Sequence, residues 1–322
     1  MGSRRRRGQA RFAAGVGDGR ANPATGGGRA GAGLAVCLLA FVAGCPGKTD
    51  WPAIEPSGPR EPPAGLPQVL GRINDNAARM DFTLEAQGDA AARHQRPDGK
   101  PELFDGRVKL LFRKPRDLYL ELNHTLGGEV MQIGSNRDEF WVWKRLNQDR
   151  YWWGRHDRMD AQAAAALPIR PEEVVEVFGL GALPAAGDAQ SGPLFEVASD
   201  RYVLCFLDRG PDGRTYVARR LRVDRRAPHL IREIEYLTPA GRVRAQARAH
   251  SFRQVAGSAV WVPGQLRLDW PGRDEFLQMK FDLLQRYDRD PSRAFQSPLQ
   301  RGRSVGEQIR VDRDGGSGAA LK

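Results

Sequence analysis

The most specific chemistry in this 322-residue chain belongs to a short run that ends in a thiol. Cys45 follows Val42, Ala43 and Gly44 and closes an apolar stretch that begins at Leu34. Small side chains before the cysteine allow the backbone to enter a narrow protease cleft, and a cysteine sulfur is the nucleophile that forms a thioether. The pattern therefore predicts cleavage between Gly44 and Cys45, followed by covalent modification of the Cys45 sulfur.

The residues around this run support a targeting signal. The apolar stretch 34–43 has about ten residues, the length of a signal-peptide core and too few to span a bilayer. Arginines precede it, beginning with the block Arg4–Arg7. The arrangement resembles the lipobox of bacterial lipoproteins. The alternative is a basic, disordered tail that binds nucleic acid, followed by a chance apolar run.

The lipobox resemblance implies an address and a modification. Residues 1–44 would be a signal peptide of the lipoprotein type. Cys45 would carry a diacylglycerol and an N-acyl chain such as palmitate, and no other cofactor is expected. The protein would then be anchored in the cell envelope and face the periplasm, while the choice between inner and outer membrane stays open because the next residue, Pro46, has no fixed sorting meaning.

Charge and cysteine content change when this leader is set aside. Residues 1–44 contain seven arginines and one aspartate, so the net charge of the remaining chain is +5 rather than +11. A mildly cationic, mixed surface is poor support for a nucleic-acid partner and weak support for contact with anionic lipid. Cys205 is then the one free cysteine left in the body, and its apolar neighbours indicate a packed strand residue rather than a nucleophile.

The chain beyond the leader divides into three parts by composition. Residues 45–65 are rich in proline and are typical of an extended tether that follows the lipid anchor. Residues 66–290 are long enough to form a single substantial core. Residues 291–322 are polar and end in a run rich in glycine and aspartate, which predicts a disordered C-terminal tail.

Within residues 66–290 the dominant hydrophobic period is two. Val108, Leu110 and Phe112 alternate with polar residues, and a second apolar run, 118–122, follows after the turn sequence 114–117. Similar runs recur to residue 284 and are separated by short turns. Short connections favour antiparallel hairpins over a parallel sheet. The pattern predicts a mainly β body with about 11–12 strands.

Two segments have helical periodicity instead. One is an amphipathic stripe that recurs at steps of three and four from Leu66 to Met80. The other begins at Pro171 with two acidic residues and ends at Gly179. The alanine run 161–166 could add a third helical turn. A helix before the strands and another among them predict a strongly curved sheet with two or three helices covering its concave side.

The layout as a whole resembles a known family. A leading helix, the basic, proline-containing turn 113–119 and the strand sequence 134–143 are similar to the LolA/LolB-like lipoprotein carriers, over roughly residues 66–290. The resemblance implies a half-open antiparallel β-barrel that is closed by helices around an apolar cavity holding acyl chains. It assigns no individual ligand-contacting residue. Lipid attachment would make the chain more like the anchored receptor than the soluble shuttle.

One strand gives this idea an independent test. The segment 242–250 alternates strictly, and its apolar face is small, so a barrel interior there would stay partly empty unless neighbours or a ligand filled it. In the alternative, bulky residues of the last strand, 277–283, pack onto the small face. Two tryptophans spaced two apart could also line a pocket, although ordinary core or rim packing is the favoured explanation for them. The cavity candidates are Val243, Ala245, Ala247, Ala249, Trp141, Trp143, Met279 and Phe281.

Catalytic and metal chemistry find little support in the sequence. The five histidines are far apart, and His156 with Asp157 is typical of a solvated polar cluster. The acids Glu172 and Glu173 suit the first turn of a helix. No nucleophile-elbow, phosphate-loop or zinc-protease motif is present. We therefore expect no catalytic residue, no metal site and no enzymatic activity.

Three functions remain as hypotheses. The first is a lipid-anchored envelope protein that binds a hydrophobic ligand, either lipid or lipoprotein acyl chains, and takes part in lipid or lipoprotein trafficking. The second is a non-carrier scaffold or sensor that uses the same fold to contact other envelope proteins. The third is an envelope hydrolase whose catalytic residues come together only in three dimensions.

Overall fold

The computed structural model describes residues 62–96, 98–145, 149–158, 167, 169–184, 192–210 and 212–312. The predicted signal peptide, Cys45, most of the tether, the alanine run 161–166 and the last ten residues lie outside these ranges. Within the described residues the helices are α1 (Leu66–Ala78) and α2 (Pro171–Val177), with 3-10 turns at His156–Arg158 and Pro271–Arg273.

Sixteen strands are found in the same ranges, and they make the protein mainly β. They are β1 (Leu84–Gln95), β2 (Pro101–Arg113), β3 (Asp117–His124), β4 (Glu129–Ser135), β5 (Glu139–Lys144), β6 (Arg150–Arg155), β7 (Leu194–Val197), β8 (Arg201–Arg209), β9 (Thr215–Asp224), β10 (Ile231–Leu237), β11 (Val243–His250), β12 (Arg253–Gln254), β13 (Trp261–Val262), β14 (Gln265–Trp270), β15 (Glu275–Arg286) and β16 (Glu307–Arg310).

Fourteen of these strands form one open sheet. Its order is β16-β6-β5-β4-β3-β2-β1-β15-β14-β11-β10-β9-β8-β7, and β12 and β13 pair separately. Every pairing is antiparallel except that of β16 with β6, which is parallel. Two up-and-down meanders, β1–β6 and β7–β15, are joined where β1 pairs with β15. The mainly β, mostly antiparallel prediction is confirmed, but the sheet has more strands than expected.

The region beyond Pro291 differs from the predicted disordered tail. Residues 291–312 are described and contain turns followed by β16. Residues 287–312, which we call the strap, cross the outer face of β2–β6 before β16 joins the edge of β6. A polar composition gave no hydrophobic period, but pairing with β6 supplies the hydrogen bonds that the isolated segment lacks.

Helix α1 follows the predicted stripe. Leu70, Ile73 and Ala77 are buried against the sheet, as a 3.6-residue period requires. At its C-terminal end, Lys114 Nζ donates hydrogen bonds to the carbonyl oxygens of Ala77 and Ala78 at 2.9 and 3.1 Å. These carbonyls lack partners within the helix, and a cation also suits the negative end of the helix dipole.

Helix α2 also begins and ends as its residues predict. Pro171 occupies the first turn, where its missing N–H costs no hydrogen bond. Gly179 has φ +70° and terminates the helix, with its N–H donating to the carbonyl oxygen of Glu176. Both helices pack on the same apolar face of the sheet, where one core includes Leu70 and Val174 together with residues from β1 to β15.

Candidate functional site

The predicted lipidation site cannot be placed in the fold. Gly44 and Cys45 lie outside the described residues, so cleavage and lipid attachment there stay predictions. Described residues begin at Pro62, and the N–H of Ala64 donates a hydrogen bond to Tyr202 Oη at 2.9 Å. The chain therefore enters the folded body beside β8.

The small face of β11 points into the main core, but the core is packed there. Ala245, Ala247 and Ala249 are 1–3% exposed, whereas Val243 at the start of the strand is half-buried. Ala247 lies between Ile234 of β10 and Leu268 of β14. Because Ala247 has large neighbours on both sides, Ala245 lies opposite Tyr236 and Ala249 lies opposite Leu266, this part of the sheet interior is filled by side chains.

Met279 and Phe281 belong to the same core as the alanines. Both are almost fully buried, and Met279 is the cross-strand partner of Leu266. The Phe281 ring packs on the Phe178 ring, with centroids 5.4 Å apart. The end of α2 therefore rests on β15, and the structure brings these two candidates together with the β11 alanines.

Trp141 and Trp143 lie on the opposite face of the sheet. Strand alternation directs Phe140 and Val142 into the main core, so the two tryptophans point outward. There they pack with Tyr151 beneath the strap and are at most 1% exposed. As cavity candidates they were wrongly grouped with the alanines, because the sequence did not reveal the segment that covers the outer face.

An apolar pocket of about 110 Å³ lies at one end of the sheet interior. We call it the end pocket. It forms where β1, β2 and β3 meet the beginnings of β4 and β15, with one wall from Ile169, two residues before α2. Its apolar walls are Ala92, Phe104, Leu122, Val130, Met131, Ile169, Trp270, Phe276 and Leu277.

The charged side chains that line the end pocket are three basic ones, Arg93, His94 and Lys144, and one acid, Glu275. Arg93 pairs with Asp274 at 2.6 Å and His94 with Glu102 at 3.3 Å. Burial lowers the pKa of the Lys144 ammonium, with Glu275 opposing that shift and nearby arginines adding to it. Within the described residues no carboxylate lies at ion-pair distance from Lys144 Nζ. A half-buried cation therefore faces apolar walls.

A second, larger space of about 480 Å³ lies between α2 and strands β8–β10. We call it the helix cleft. Its walls combine apolar residues, among them Val175, Phe206 and Leu207, with charged ones, among them Arg116, Arg219 and Glu176. The helix cleft and the end pocket lie on either side of the segment 169–171, since Ile169 lines the pocket while Arg170 and Pro171 line the cleft.

Ion pairs attach α2 to the cleft wall. Glu176 accepts hydrogen bonds from Arg219 and from Tyr236 Oη, the latter at 2.8 Å. Glu173 is bound by Arg170, at 2.6 Å, and by Arg244. Burial raises the pKa of the Glu176 carboxyl even though the Arg219 guanidinium acts to lower it. The attachment of α2 therefore depends on charges withdrawn from water.

On its other side α2 contacts the end of β4 and the turn after β6. His156 Nδ1 lies 3.2 Å from Glu172 Oε1, and His156 Nε2 lies 3.1 Å from Ser135 Oγ. The side chain of His156 is 9% exposed. The interpretation of this histidine as part of a solvated polar cluster was therefore wrong, because α2 and Phe140 cover it.

Strand β11 also carries the most strongly shifted histidine. Burial, together with the positive charges of Arg232 and Arg248, lowers the pKa of His250 from 6.5 to about 4. A folded-state pKa below the unfolded value means that the unfolded chain binds the proton first as pH falls. The free energy of unfolding that neutral His250 contributes above pH 6.5 is thus lost progressively as the pH falls from 6.5 to 4.

We therefore expect His250→Gln to make the free energy of unfolding less dependent on pH between pH 7.5 and 4. In urea unfolding at pH 7.5, 6, 5 and 4, the free energy of unfolding of the variant should rise relative to that of the native chain by about 2 kcal/mol as the pH falls. A difference independent of pH would contradict this role for His250.

Two further features are absent from the described residues. None of the helices there is long and apolar enough to cross a bilayer. In the same residues no group of three or more histidine, cysteine, aspartate or glutamate side chains is arranged to hold a metal ion.

Among known proteins, the chain is similar to several solved structures. No protein-family model matches the chain. No curated protein matches it either. A DUF1329 family protein from Desulfovibrio piger is 12% identical, with TM-score 0.45 and coverage of 72% of this chain and 96% of its own. A LolA superfamily protein from Nitrosomonas europaea is 15% identical, with TM-score 0.43 and coverage of 73% and 100%.

A third similar structure is an outer membrane lipoprotein-sorting protein domain from Vibrio parahaemolyticus. It is 12% identical, with TM-score 0.46 and coverage of 73% of this chain and 99% of its own. The solved structures to which the chain is similar thus include a member of the superfamily that the sequence resembles. At these identities the likeness concerns the fold alone.

Proposed function

We propose that the protein binds the acyl chain of an anionic amphiphile, with the head group at Lys144 and the adjoining part of the chain in the end pocket. The observation that carries this proposal is the end pocket itself, an apolar space beside a half-buried cation. Apolar area removed from water there contributes roughly 25 cal/mol per Å². Binding rather than chemistry is the function of this pocket.

The first support is the curvature that the contacts of α2 require. The helix touches β4 on one side and β10 and β11 on the other, although seven strand spacings separate β4 from β10 in the sheet order. In a flat sheet these strands would lie roughly 33 Å apart, whereas a helix of seven residues is only about 10 Å long. We infer that the sheet curves into a half-open barrel whose concave side is covered by α1 and α2.

The second support is the size of the end pocket relative to an acyl chain. A volume of 110 Å³ accommodates about four methylene-sized groups of roughly 30 Å³ each, which is the part of an acyl chain next to its head group rather than its whole length. A longer chain would have to displace part of the cover. Helix α2 is the natural element to move, since it is short and its polar attachments are made by Glu172, Glu173 and Glu176.

The third support is the charge at the rim. Lys144 loses hydration through burial, which lowers its pKa, so a carboxylate or phosphate placed there would restore a favourable partner for the ammonium. Arg93 and His94 already have acidic partners. Lys144 is therefore the residue that we expect to recognise an anionic head group.

The setting of this function follows from the predicted lipobox. Attachment at Cys45 would hold the body at an envelope membrane on the periplasmic side, with residues 45–65 as the tether. Lipid or lipoprotein acyl chains are the hydrophobic ligands available there, and trafficking of one of them is the role that we propose. These statements depend on Cys45, whereas the proposal for the end pocket does not.

The packed alanines favour a second candidate. Because Ala247 and Ala249 are buried among leucines, most of the interior needs no ligand to fill it. The fold would then serve as a scaffold or sensor that contacts other envelope proteins through its surface. A protein of this kind would take up no apolar probe.

A binding experiment separates the two candidates. The Cys45→Ser chain is titrated with cis-parinaric acid, a fluorescent fatty acid, and then with dodecanoate or dodecanol as competitor. We expect saturable uptake, at least tenfold weaker in Ala92→Phe, which fills the end pocket. Ala91→Phe is the matched control, since its side chain is on the opposite face of β1. Lys144→Gln should weaken dodecanoate several-fold and leave dodecanol unchanged.

The outcomes divide cleanly between the candidates. Uptake that is lost in Ala92→Phe and kept in Ala91→Phe supports a ligand in the end pocket. Absence of uptake, or equal loss in the two phenylalanine variants, overturns that proposal and leaves the scaffold. Equal effects of Lys144→Gln on the acid and the alcohol would show that the rim does not recognise charge.

A further inference from the structure

We propose that Ser135, His156 and Glu172 form a hydrolytic site on the wall of the helix cleft, which cleaves carboxylic esters with an apolar acyl group. This activity goes beyond ligand binding in the end pocket and departs from the expectation of no catalytic residue. Its basis is a chain of three side chains in contact, nucleophile to base to carboxylate.

The three residues come from separate elements that meet at α2. Ser135 is the last residue of β4, where Leu118 and Phe140 flank it across the sheet. His156 follows β6 directly, and its N–H donates to the carbonyl oxygen of Asp138. Glu172 is in the first turn of α2. Strand pairing and the β4–β5 turn therefore fix the serine and histidine, while α2 supplies the acid.

The distances suit proton transfer from serine to histidine. Ser135 Oγ lies 3.1 Å from His156 Nε2, and Glu172 Oε1 lies 3.2 Å from His156 Nδ1. With Nδ1–H donating to the carboxylate, Nε2 is left to accept the serine proton. The carbonyl oxygen of Asn136, 3.2 Å from Nε2, then accepts a hydrogen bond from the imidazolium that forms.

The charges around the three residues suit the same chemistry. Burial acts to raise the pKa of Glu172, but hydrogen bonds from His156 and from the backbone outweigh it and hold that pKa below its ordinary value. Glu172 is therefore ionised at neutral pH and can orient the imidazole. Arg116 also lines the cleft, and its guanidinium is the cation that the proposal assigns to the oxyanion of a tetrahedral intermediate.

The reaction balances with water as the only co-reactant. Ser135 Oγ attacks the ester carbonyl carbon, and its proton passes to His156 Nε2. Collapse of the tetrahedral intermediate breaks the carbon–oxygen bond of the ester, and the departing alkoxide takes the proton from His156. Water then attacks the acyl-serine with His156 again as base, which releases a carboxylic acid and restores Ser135.

The substrate class follows from the walls of the cleft. Val175, Phe206 and Leu207 provide apolar surface for the acyl group. The cleft volume of about 480 Å³ is within the range of small-molecule sites. A medium-length acyl ester fits this combination of apolar wall and adjacent hydroxyl. Ser135 and His156 are the catalytic residues of the proposal, and Glu172 is a positioning residue.

The test combines covalent labelling with turnover. The full chain is treated with a fluorophosphonate probe, the labelled residue is identified by mass spectrometry, and hydrolysis of 4-nitrophenyl octanoate is measured. We expect label on Ser135 and a rate that falls at least about a thousandfold in Ser135→Ala. Ser297→Ala is the matched control, since both serines are 2% exposed and Ser297 lies in the strap.

Two further variants separate positioning from structure. Glu172→Gln should lower kcat roughly a hundredfold with KM unchanged, and Glu172→Asp should restore part of kcat. If the contact of Glu172 with His156 only held α2 against β4, the Glu172 variants would change KM and the urea midpoint of unfolding instead. Absence of label on Ser135, or hydrolysis that survives Ser135→Ala in a folded chain, overturns the proposal. Urea unfolding of each variant establishes that it is folded.

Discussion

A chain that ends at Asp290 is expected to lose on the order of 5 kcal/mol of its free energy of unfolding and to associate through its outer sheet face. The truncation removes most of the strap, which covers Trp141, Trp143 and Tyr151. These three side chains are at most 1% exposed, and each large buried side chain contributes about 1.5–3 kcal/mol. Their sum is comparable to the whole stability of a typical domain.

Loss of the strap also removes specific polar contacts. Arg301 donates to Gln132 Oε1 and Arg303 to Glu129 Oε2, each at 2.7 Å. Gln132 is fully buried, so the truncation would expose a face that carries both polar and aromatic side chains. Because β16 is removed as well, the edge of β6 would also be exposed. Such an edge is a template for pairing with a second chain.

The matched control for this truncation ends at Asp312. It keeps β16 and removes only residues 313–322, which the sequence predicts to be disordered. In urea unfolding, this control should have the free energy of unfolding of the full chain, and the shorter chain should have a lower one. In analytical ultracentrifugation, the control should sediment as a monomer like the full chain, whereas the shorter chain should self-associate. Equal stability of the two would mean that the strap contributes little.

The second large effect is expected at the attachment of α2. Arg219→Met should cost about 3 kcal/mol, because removing one partner of a buried pair leaves the other charge without compensation. This value is at the lower end of the range for breaking a buried ion pair, since the Arg219 side chain is still 27% exposed. Methionine retains much of the packing that the guanidinium makes on Phe206, where the separation is 4.0 Å.

Adding Glu176→Gln to Arg219→Met should recover most of the loss. The amide is neutral and can still accept the hydrogen bond of Tyr236, so the buried charge disappears while the contact stays. The neighbouring Arg220→Met is the control. Its partner Glu235 keeps a second guanidinium, Arg222, at 3.2 Å, and a change of at most about 1 kcal/mol is expected there.

The pH dependence of Arg219→Met gives an independent check. The pKa of Glu176 is raised above its unfolded value by burial, and loss of the guanidinium raises it further. A carboxyl with a raised folded-state pKa is stabilising when protonated, and that stability is lost as pH rises. The gap between variant and native chain should thus be smaller at pH 5 than at pH 7. A double variant no better than the single would contradict the role of Glu176.

The sequence predicted the elements of this fold better than the faces they present. Period-two runs identified the strands of both meanders, and the stripe from Leu66 to Met80 identified α1, because each signal is local. The period does not say which face is inside. Trp141 and Trp143 appeared equivalent to inward residues until the strap, which has no hydrophobic period of its own, was seen to cover them.

Two smaller differences have the same origin in long-range pairing. The register of β1 with β15 shifts between Gln87 and Gly88, so Leu284 rather than Leu283 enters the core after the irregularity. Strand β16 pairs with a strand about 150 residues earlier in the chain, which no local pattern encodes.

The candidate sites were predictable only in part. The small face of β11 was found from its alternation, and its packed state depended on partners from β10 and β14 that the sequence could not assign. His156 and Glu172 each had an ordinary local explanation, as a solvated histidine and as part of a helix first turn, and Ser135 lay within the strand sequence 134–143. Their juxtaposition arises from α2 crossing to β4, which is a property of the tertiary structure.

The seam between β1 and β15 sets the order in which this protein can acquire its structure. It joins residues 84–93 to residues 276–286, so the centre of the sheet consists of the earliest and nearly the latest strands to be synthesised. Each meander can form from sequential hairpins, but the seam must close a loop of almost two hundred residues, and such non-local contacts slow folding. Until then both meanders have an open inner edge, and a chain in this state would depend on protection from aggregation.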